Sequence, residues 1–322
     1  MLGYKTISVK RVKRGIAKIG IYLFFSGLIV FFSCLSDRFL TVRNIENILI
    51  QSSIFAIASV GEAFVILARG IDISVGPMLY LAGVMGALSY LYGAPPLVVV
   101  LVIVGTGTMA GMFNGLLLTK LKIGPLITTL ATYGIFRGVA LNTQYQTRHG
   151  GWRDLVVPDS FRFLGSGRLG FIPVPILMTL LMYLIGYFIL TQTSFGRKIY
   201  FVGNAPENAK TAGINLNKTL FFVYLICGFC VGVAALAWSA QFMKITAGMG
   251  KEMEIWVIAA AVLGGVSLAG GEGNLFGAWF GTLIVVIIIN GLNILGASPY
   301  IYGIVNGLII FIAILSDTFR HR

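Results

Sequence analysis

The sequence predicts an all-α polytopic membrane protein, and three observations support this fold class. Of the 322 residues, 57% are hydrophobic and only 11% are charged, whereas soluble domains carry about 25% charged residues. The mean hydropathy is +0.91. The apolar residues are gathered in stretches long enough to cross a hydrocarbon core about 30 Å thick. About ten transmembrane helices are therefore expected.

The ten predicted spans form a single transmembrane domain, residues 19–316, with short connections. Their boundaries are 17–35, 45–68, 73–92, 95–119, 125–145, 172–193, 219–241, 254–269, 272–295 and 299–316. The seventh span would be about 34 Å long at 1.5 Å per residue, enough to cross with some tilt. Glycine-rich breaks separate the second span from the third and the eighth from the ninth, so eight or nine full crossings also fit.

The basic residues predict the orientation of the chain. Residues 1–18 carry six Lys or Arg and no acidic residue. The apolar run that follows lacks a small-x-small cleavage site, so we expect a retained first helix rather than a signal peptide. With a cytoplasmic N-terminus, 15 of the 24 Lys and Arg fall inside and 8 outside, in keeping with the positive-inside rule. Both tails, 1–18 and 317–322, and the segment 193–218 are then cytoplasmic, and the loop 146–171 is external.

The composition argues against several other classes of protein. The net charge is +13, but the positive residues flank apolar runs and form no basic patch with interleaved aromatics, so no nucleic-acid partner is expected. Three Cys and two His predict no disulfide framework and no metal site, and Cys227 and Cys230 are expected to pack within a span. No Gly-Lys-Ser/Thr follows the glycine-rich stretches, so we expect no ATP hydrolysis by this chain. Its residues supply no nucleophile–base pair and no metal cluster, so we expect neither an enzymatic activity nor a cofactor.

The polar segment 193–218 interrupts the apolar chain and is predicted to contain a short helix over 205–212. Asn204 is expected to cap this helix, with Glu207 three residues later as in a capping box. Gly213 is expected to end it in the left-handed conformation. One or two helical turns are not stable alone in water. We therefore expect this helix to be held by a partner, and that contact to be the function of the segment.

The chain contains an internal repeat. The fourth and ninth spans each carry three glycines spaced by four residues: Gly107, Gly111 and Gly115, and Gly273, Gly277 and Gly281. The fifth span contains Tyr133-Gly134-Ile135-Phe136-Arg137-Gly138 and the tenth contains Tyr302-Gly303-Ile304-Val305-Asn306-Gly307, with four identities in six positions. The matching spans run in opposite directions in the predicted topology. This pattern is typical of an inverted-repeat transporter with its pathway between the halves.

Polar residues inside the spans are candidates for the pathway. Asp72 and Ser74 lie at a break between two spans, where unpaired backbone groups are tolerated only within protein or along a watery cavity. We interpret them as a gate, with capping of the third span as the alternative. Asn114, Asn290 and Asn293 either line the pathway or form hydrogen bonds between helices.

Two charged residues, Glu62 and Arg137, fall inside predicted spans. Insertion scales assign a cost of about 2.5–3.5 kcal/mol to a charged residue at the centre of a membrane helix. Both side chains are therefore expected to face the interior of the bundle, where they can pair with each other.

Several short motifs occur along nearly the whole chain. They are Arg38-Phe39-Leu40, Gly70-Ile71-Asp72-Ile73-Ser74-Val75-Gly76, Phe195-Gly196-Arg197, Ala212-Gly213-Ile214, the run from Leu263 to Gly271, Asn290-Gly291-Leu292 and Asp317. Together they resemble the permease subunits of bacterial sugar ATP-binding-cassette importers, the ribose, xylose and autoinducer-2 group.

This resemblance implies a type II-like importer in the bacterial inner membrane that moves a sugar by alternating access. It implies a second permease subunit in a homodimer or heterodimer, two cytoplasmic ATPase subunits and an extracytoplasmic sugar-binding protein. We expect the binding protein to dock on the 146–171 loop, with a plain solvated loop as the alternative. Membrane lipid is a further expected partner. The loop between the sixth and seventh spans is then the coupling element, with these residues: Glu207, Asn208, Ala209, Lys210, Ala212 and Gly213. An ion-coupled secondary carrier and a permease for branched-chain amino acids remain as alternatives.

Overall fold

The computed structural model describes residues 21–147 and 154–321 of the chain. The predicted tail 1–18 therefore lies outside the described residues. The helices are α1 (Ile21–Leu35), α2 (Val42–Leu67), α3 (Val75–Leu91), α4 (Pro96–Leu121), α5 (Pro125–Thr147), α6 (Arg162–Ser166), α7 (Val174–Gln192), α8 (Ser194–Asn204), α9 (Pro206–Thr211), α10 (Leu216–Phe242), α11 (Met253–Leu263), α12 (Leu275–Ile294) and α13 (Pro299–His321).

Ten of these helices correspond to the ten predicted spans. Five are long and apolar enough to cross a membrane: α2, α4, α7, α10 and α12. Helix α11 has only 11 residues, about 17 Å at 1.5 Å per residue, which is too short to cross. The predicted eighth span, 254–269, is therefore too long, because the glycines that follow Leu263 turn the chain and end the helix.

Helices α3 and α11 both begin at loops whose backbones touch. A Cβ atom built on Gly76 in the first turn of α3 would overlap the carbonyl oxygen of Gly250, and one built on Gly250 would overlap the carbonyl oxygen of Gly76. Gly250 also has a left-handed φ of +69°, which residues with a side chain rarely adopt. These two glycines let the loop before α11 lie directly on the start of α3.

The glycine stripe of α4 packs against a glycine stripe of α10. A Cβ on Gly107 would lie 2.6 Å from the Cα of Gly232, and one on Gly111 would overlap the carbonyl oxygen of Tyr224. Such contacts let two helix backbones approach closely. The stripe of α12 has a different neighbour, because a Cβ on Gly281 would overlap the carbonyl oxygen of Ala260 in α11.

The bundle has two ends with different structure. One end, called the α8 end below, is formed by α8, α9 and the loop 264–274. The other, called the strand end, carries α6 and four strands: β1 (Leu155–Val156), β2 (Arg168–Leu169), β3 (Ile172–Pro173) and β4 (Lys244–Ile245). Strands β1 and β4 pair antiparallel, as do β2 and β3.

The described part of the 146–171 loop is folded onto the bundle. Leu155 and Phe161 are buried, and Lys244 forms an ion pair with Asp154 at 2.9 Å. The pairing of β1 with β4 ties this loop to the segment that follows α10. The described residues of the loop therefore form an ordered cap on the strand end.

Candidate functional site

The segment 193–218 contains two helices, α8 and α9, where the sequence predicted one. The predicted helix over 205–212 corresponds to α9, Pro206–Thr211. Its N-cap is Ala205 and has no side-chain hydrogen bond, while Asn204 is the last residue of α8. The predicted cap at Asn204 is therefore wrong, because that residue is already helical. Gly213 has a φ of +75°, which confirms the predicted left-handed end.

Helix α8 begins with a side-chain cap and is fixed to the bundle. Thr193 Oγ1 accepts a hydrogen bond from the backbone N–H of Gly196 at 3.2 Å, as expected of an N-cap threonine. A Cβ on Gly203 would overlap the carbonyl oxygen of Leu67, the last residue of α2. That oxygen accepts a hydrogen bond from the N–H of Gly271 at 2.9 Å. The end of α8 thus rests where α2 and the loop 264–274 meet.

A second contact fixes α8 to the loop before α12. The Tyr200 hydroxyl donates to the carbonyl oxygen of Gly273 at 3.0 Å, and burial raises the pKa of Tyr200 above its ordinary value. Movement of α8 would therefore displace the ends of α2 and α12 directly.

Helix α9 presents one face to the protein and the other to solvent. Ala209 is fully buried, so its side chain packs on this chain. Asn208, Lys210, Ala212 and Gly213 are exposed. Of the predicted coupling residues, Ala209 therefore contacts this chain rather than a partner, whereas Ala212 is accessible.

The charged pair of α9 is internal to the helix. Glu207 and Lys210 form an ion pair of 2.8 Å with side chains 80% and 57% exposed. Exposed pairs of this kind contribute about 0–1 kcal/mol. Both side chains can exchange this contact for one with a partner at little cost.

A second group of predicted residues meets at the break between α2 and α3. This break cluster consists of Glu62, Asp72, Ser74 and Asn114, all with 0% exposure. Asp72 Oδ1 accepts from the backbone N–H of Ser74 at 2.9 Å and from its hydroxyl at 2.6 Å. Asn114 Nδ2 donates to Ser74 Oγ at 2.8 Å and to Asp72 Oδ2 at 3.3 Å. Glu62 Oε1 accepts from the N–H of Asp72 at 3.1 Å.

The backbone of the break is held by two further side chains that the sequence analysis did not single out. The carbonyl oxygen of Ile71 accepts from the Tyr224 hydroxyl and from Thr129 Oγ1, both at 3.3 Å. Helices α2, α4, α5 and α10 thus each supply one side chain to this loop. Non-helical backbone at membrane depth requires such partners. Isolated Thr and Tyr residues in apolar helices carry no sequence signal for this role.

Two acceptor atoms of the break cluster have no partner among the described residues, Glu62 Oε2 and Asn114 Oδ1. The cluster therefore has more acceptors than donors, and it is closed to solvent in this conformation. The alternative interpretation of Asp72 as a residue that stabilises the start of α3 agrees with its hydrogen bonds to Ser74.

Arg137 does not contact Glu62, so the suggested pair is wrong. Its guanidinium donates to the carbonyl oxygens of Met249, at 2.8 Å, and Ala247, and it lies 4.6 Å from the centre of the Tyr80 ring. Arg137 thus satisfies the carbonyl groups of the loop before α11. Backbone acceptors and an aromatic ring are ordinary partners of arginine.

The remaining predicted residues lie away from the break cluster. Asn290 and Asn44 exchange two side-chain hydrogen bonds of 3.0 Å, which joins α12 to α2. Asn293 is exposed and accepts from the Tyr302 hydroxyl at 2.6 Å. The five candidate pathway residues therefore lie in three separate places. Three are in the break cluster, and Asn290 and Asn293 each lie elsewhere.

Glu254 is a further buried acid. It lies in the first turn of α11, is 4% exposed, and its Oε2 has no partner among the described residues. A Cβ on Gly76 would overlap this oxygen. Glu254 therefore faces the start of α3, beside the contact between the two loops.

Comparison with known proteins places this architecture among transport proteins. The family described as branched-chain amino acid transport system / permease component matches residues 44–314. The ribose import permease protein of Haemophilus influenzae is 36% identical over 293 residues, 91% of this chain and 90% of that protein. The ribose import permease protein of Bacillus subtilis is 35% identical, over 93% and 92% of the two chains. The D-allose transport system permease protein of Escherichia coli is 35% identical, over 93% and 91%. No solved structure matches.

Proposed function

The chain belongs to the family of branched-chain amino acid transport system permease components, and from this membership we propose that it is the membrane subunit of an ATP-binding-cassette importer for a sugar. One observation carries the proposal. Relatives about 35% identical over nine-tenths of the chain are permease proteins for ribose and D-allose. Such coverage includes both the membrane helices and the α8–α9 segment. The chain is a permease component, and ATP hydrolysis belongs to a separate subunit.

The substrate class follows from the relatives rather than from the family description. That description names branched-chain amino acids, whereas similar proteins also include a fructose import permease and a xylose transport permease. We therefore favour a monosaccharide over an amino acid. An ion-coupled carrier that works alone is disfavoured, because the similar proteins are named as import permeases or as permease proteins of transport systems.

We place the two ATPase subunits at the α8 end. The supporting observations are the exposed face of α9, its weak internal ion pair and the fixation of α8 on the ends of α2 and α12. The excess of Lys and Arg in segments at this end favours a cytoplasmic location. Both termini are then cytoplasmic, and the strand end faces the sugar-binding protein.

The inverted repeat is supported by the packing of the helices. The sequence predicts that α4 and α5 match α12 and α13, and we propose that α2 and α3 likewise match α10 and α11. Helix α3 packs against α4, α5 and α10, and α11 packs against the corresponding α12, α13 and α2. The contact of α4 with α10 likewise corresponds to that of α12 with α2. The Gly76–Gly250 contact joins the starts of the matching helices α3 and α11.

The mechanism we propose is alternating access driven through α8 and α9. Closure of the ATPase subunits displaces α9, and α8 transmits the movement to Leu67 and to the loop 264–274. The break cluster lies a short distance along the chain from Leu67, so the same movement reaches Asp72 and Ser74. Rearrangement of one half of the repeat against the other then opens the pathway to one side at a time.

Reconstituted transport tests this proposal. The permease, its ATPase subunit and its binding protein are placed in vesicles with labelled ribose, D-allose, fructose, xylose or leucine. We expect ATP-dependent uptake of one or more sugars and none of leucine. Uptake of leucine alone would assign an amino acid substrate, and uptake without the ATPase would overturn the importer assignment.

A further inference from the structure

A cavity opens at the α8 end where α4 finishes and α10 starts. Its volume is about 240 Å³, and its lining includes Lys120, Lys218, Leu116 and Phe221. Lys120 lies in the last turn of α4, and Lys218 lies in the first turn of α10. Because both helices are membrane spans by length and composition, these two lysines mark the same boundary of the apolar layer.

The rim of this cavity carries positive charge without an acidic counterpart. Both lysines are exposed, and neither takes part in the ion pairs found among the described residues. None of the residues that line the cavity is acidic. Lys218 also lies at a helix N-terminus, where the helix dipole favours an anion over a cation. The positive charge of the rim is therefore not balanced by any residue that lines the cavity.

The floor of the cavity is apolar. The apolar side chains of Leu116 and Phe221 line it, and Leu116 is 38% exposed. These side chains lie on the membrane side of the two lysines along α4 and α10. A cationic rim above an exposed apolar groove matches the two parts of a phospholipid, a phosphate group and an acyl chain.

We propose that the Lys120–Lys218 cavity binds an anionic phospholipid, with the headgroup phosphate between the two lysines and an acyl chain along Leu116 and Phe221. Basic pockets between membrane helices are typical sites for anionic headgroups. A second groove shares Asn215 and Asn217 with this cavity and extends to Lys210 of α9. The bound lipid therefore contacts the connection between α9 and α10. This proposal is independent of the transported substrate.

Lipid binding to the full chain in nanodiscs tests the proposal. The measured quantity is the affinity for phosphatidylglycerol, by native mass spectrometry and by the rise in Tm over discs of phosphatidylcholine alone. We expect Lys120→Gln with Lys218→Gln to weaken binding about 30-fold, given the usual contribution of a lysine at an anionic surface. The control, Lys122→Gln with Lys198→Gln, removes the same charge near the same end and should bind as the wild type does.

Several outcomes would overturn the proposal. Equal losses in the two double variants would indicate general attraction to an anionic surface rather than a site. An equal rise in Tm with inorganic phosphate would remove the role of the acyl chain, and release of the lipid by the ATPase subunit would assign the cavity to that partner. The Tm of each variant in phosphatidylcholine shows whether it is folded, and the single variants replace the double one if it is not.

Discussion

The side-chain amide of Asn114 donates a hydrogen bond to the hydroxyl of Ser74, 2.8 Å away. This bond joins the inner part of α4 to the residue that precedes α3, and both partners are fully buried. Because the Ser74 hydroxyl donates in turn to Asp72, the side chain of Asn114 helps to hold the backbone from Asp72 to Ser74 in place.

Replacement of Asn114 by Leu should therefore destabilise the permease. The change keeps a similar volume but leaves the Ser74 hydroxyl and one Asp72 oxygen without a donor, at a cost of about 1–3 kcal/mol. The thermal midpoint in detergent measures this effect. Asn293→Leu is the matched control, because Asn293 is exposed, and equal losses in the two variants would contradict the role of Asn114.

For the stability of the protein, the hydrogen-bond acceptor of Glu62 should matter more than its negative charge. Glu62→Gln keeps an oxygen for the Asp72 N–H and removes one of two neighbouring buried acids, so we expect stability equal to or above the wild type. Glu62→Ala leaves that N–H unpaired and should lose about 1–3 kcal/mol. Thermal melts of both variants decide the point, and a Gln variant as unstable as the Ala variant would show that the carboxylate itself is needed.

The packing of α4 on α10 should depend on particular glycines. Gly107→Ala places a methyl group against the backbone of Gly232, so we expect overpacking of about 1–3 kcal/mol and reduced uptake. Gly105→Ala, two residues earlier, meets nothing within 4 Å and should be neutral or slightly stabilising. Yield, Tm and uptake of the pair are the measurements, and similar behaviour of both variants would exclude close packing as the cause.

The contact of α8 with the end of α2 should determine whether ATP hydrolysis drives uptake. Gly203→Ala places a methyl group on the Leu67 carbonyl oxygen, and so separates α8 from the ends of α2 and the loop 264–274. We expect ATP hydrolysis by the assembled complex to persist while uptake falls about tenfold or more. The overlap should disfavour the native position of α8 by about 1–3 kcal/mol, and each 1.4 kcal/mol corresponds to about a factor of ten. Gly134→Ala in α5, which meets nothing within 4 Å, is the control. Parallel loss of hydrolysis and uptake would point to failed assembly instead.

Much of the fold could be predicted from composition and spacing. Apolar length alone located ten helices, and glycine at 213 correctly marked the end of α9. The prediction failed at α8, because its charged and polar residues resemble a loop in the sequence. The buried residues Gly196, Ile199 and Val202 depend on the neighbouring helices α2, α7 and α10 to cover them, and the local sequence does not show those neighbours. It also failed at Asn204, since local capping rules cannot show that a preceding helix already includes the cap residue.

The break cluster was only partly predictable. Asp72 and Ser74 are recognisable from their place between two apolar runs, and Asn114 from its polarity within a span. The contacts that unite them bridge 40 and 42 residues of sequence, and nothing local specifies those partners. The same reason explains the failed prediction for Arg137. Its guanidinium binds carbonyl groups more than 100 positions away rather than Glu62.

The touching glycines at 76 and 250 have a consequence for synthesis of the protein. Helix α3, with 17 residues, and α11, with 11, are both short segments for independent insertion by the translocation machinery. Gly250 is synthesised 174 residues after Gly76. The start of α3 therefore lacks its contact with Gly250 during more than half of translation. Premature termination before residue 250 should thus yield a fragment open to quality-control proteases.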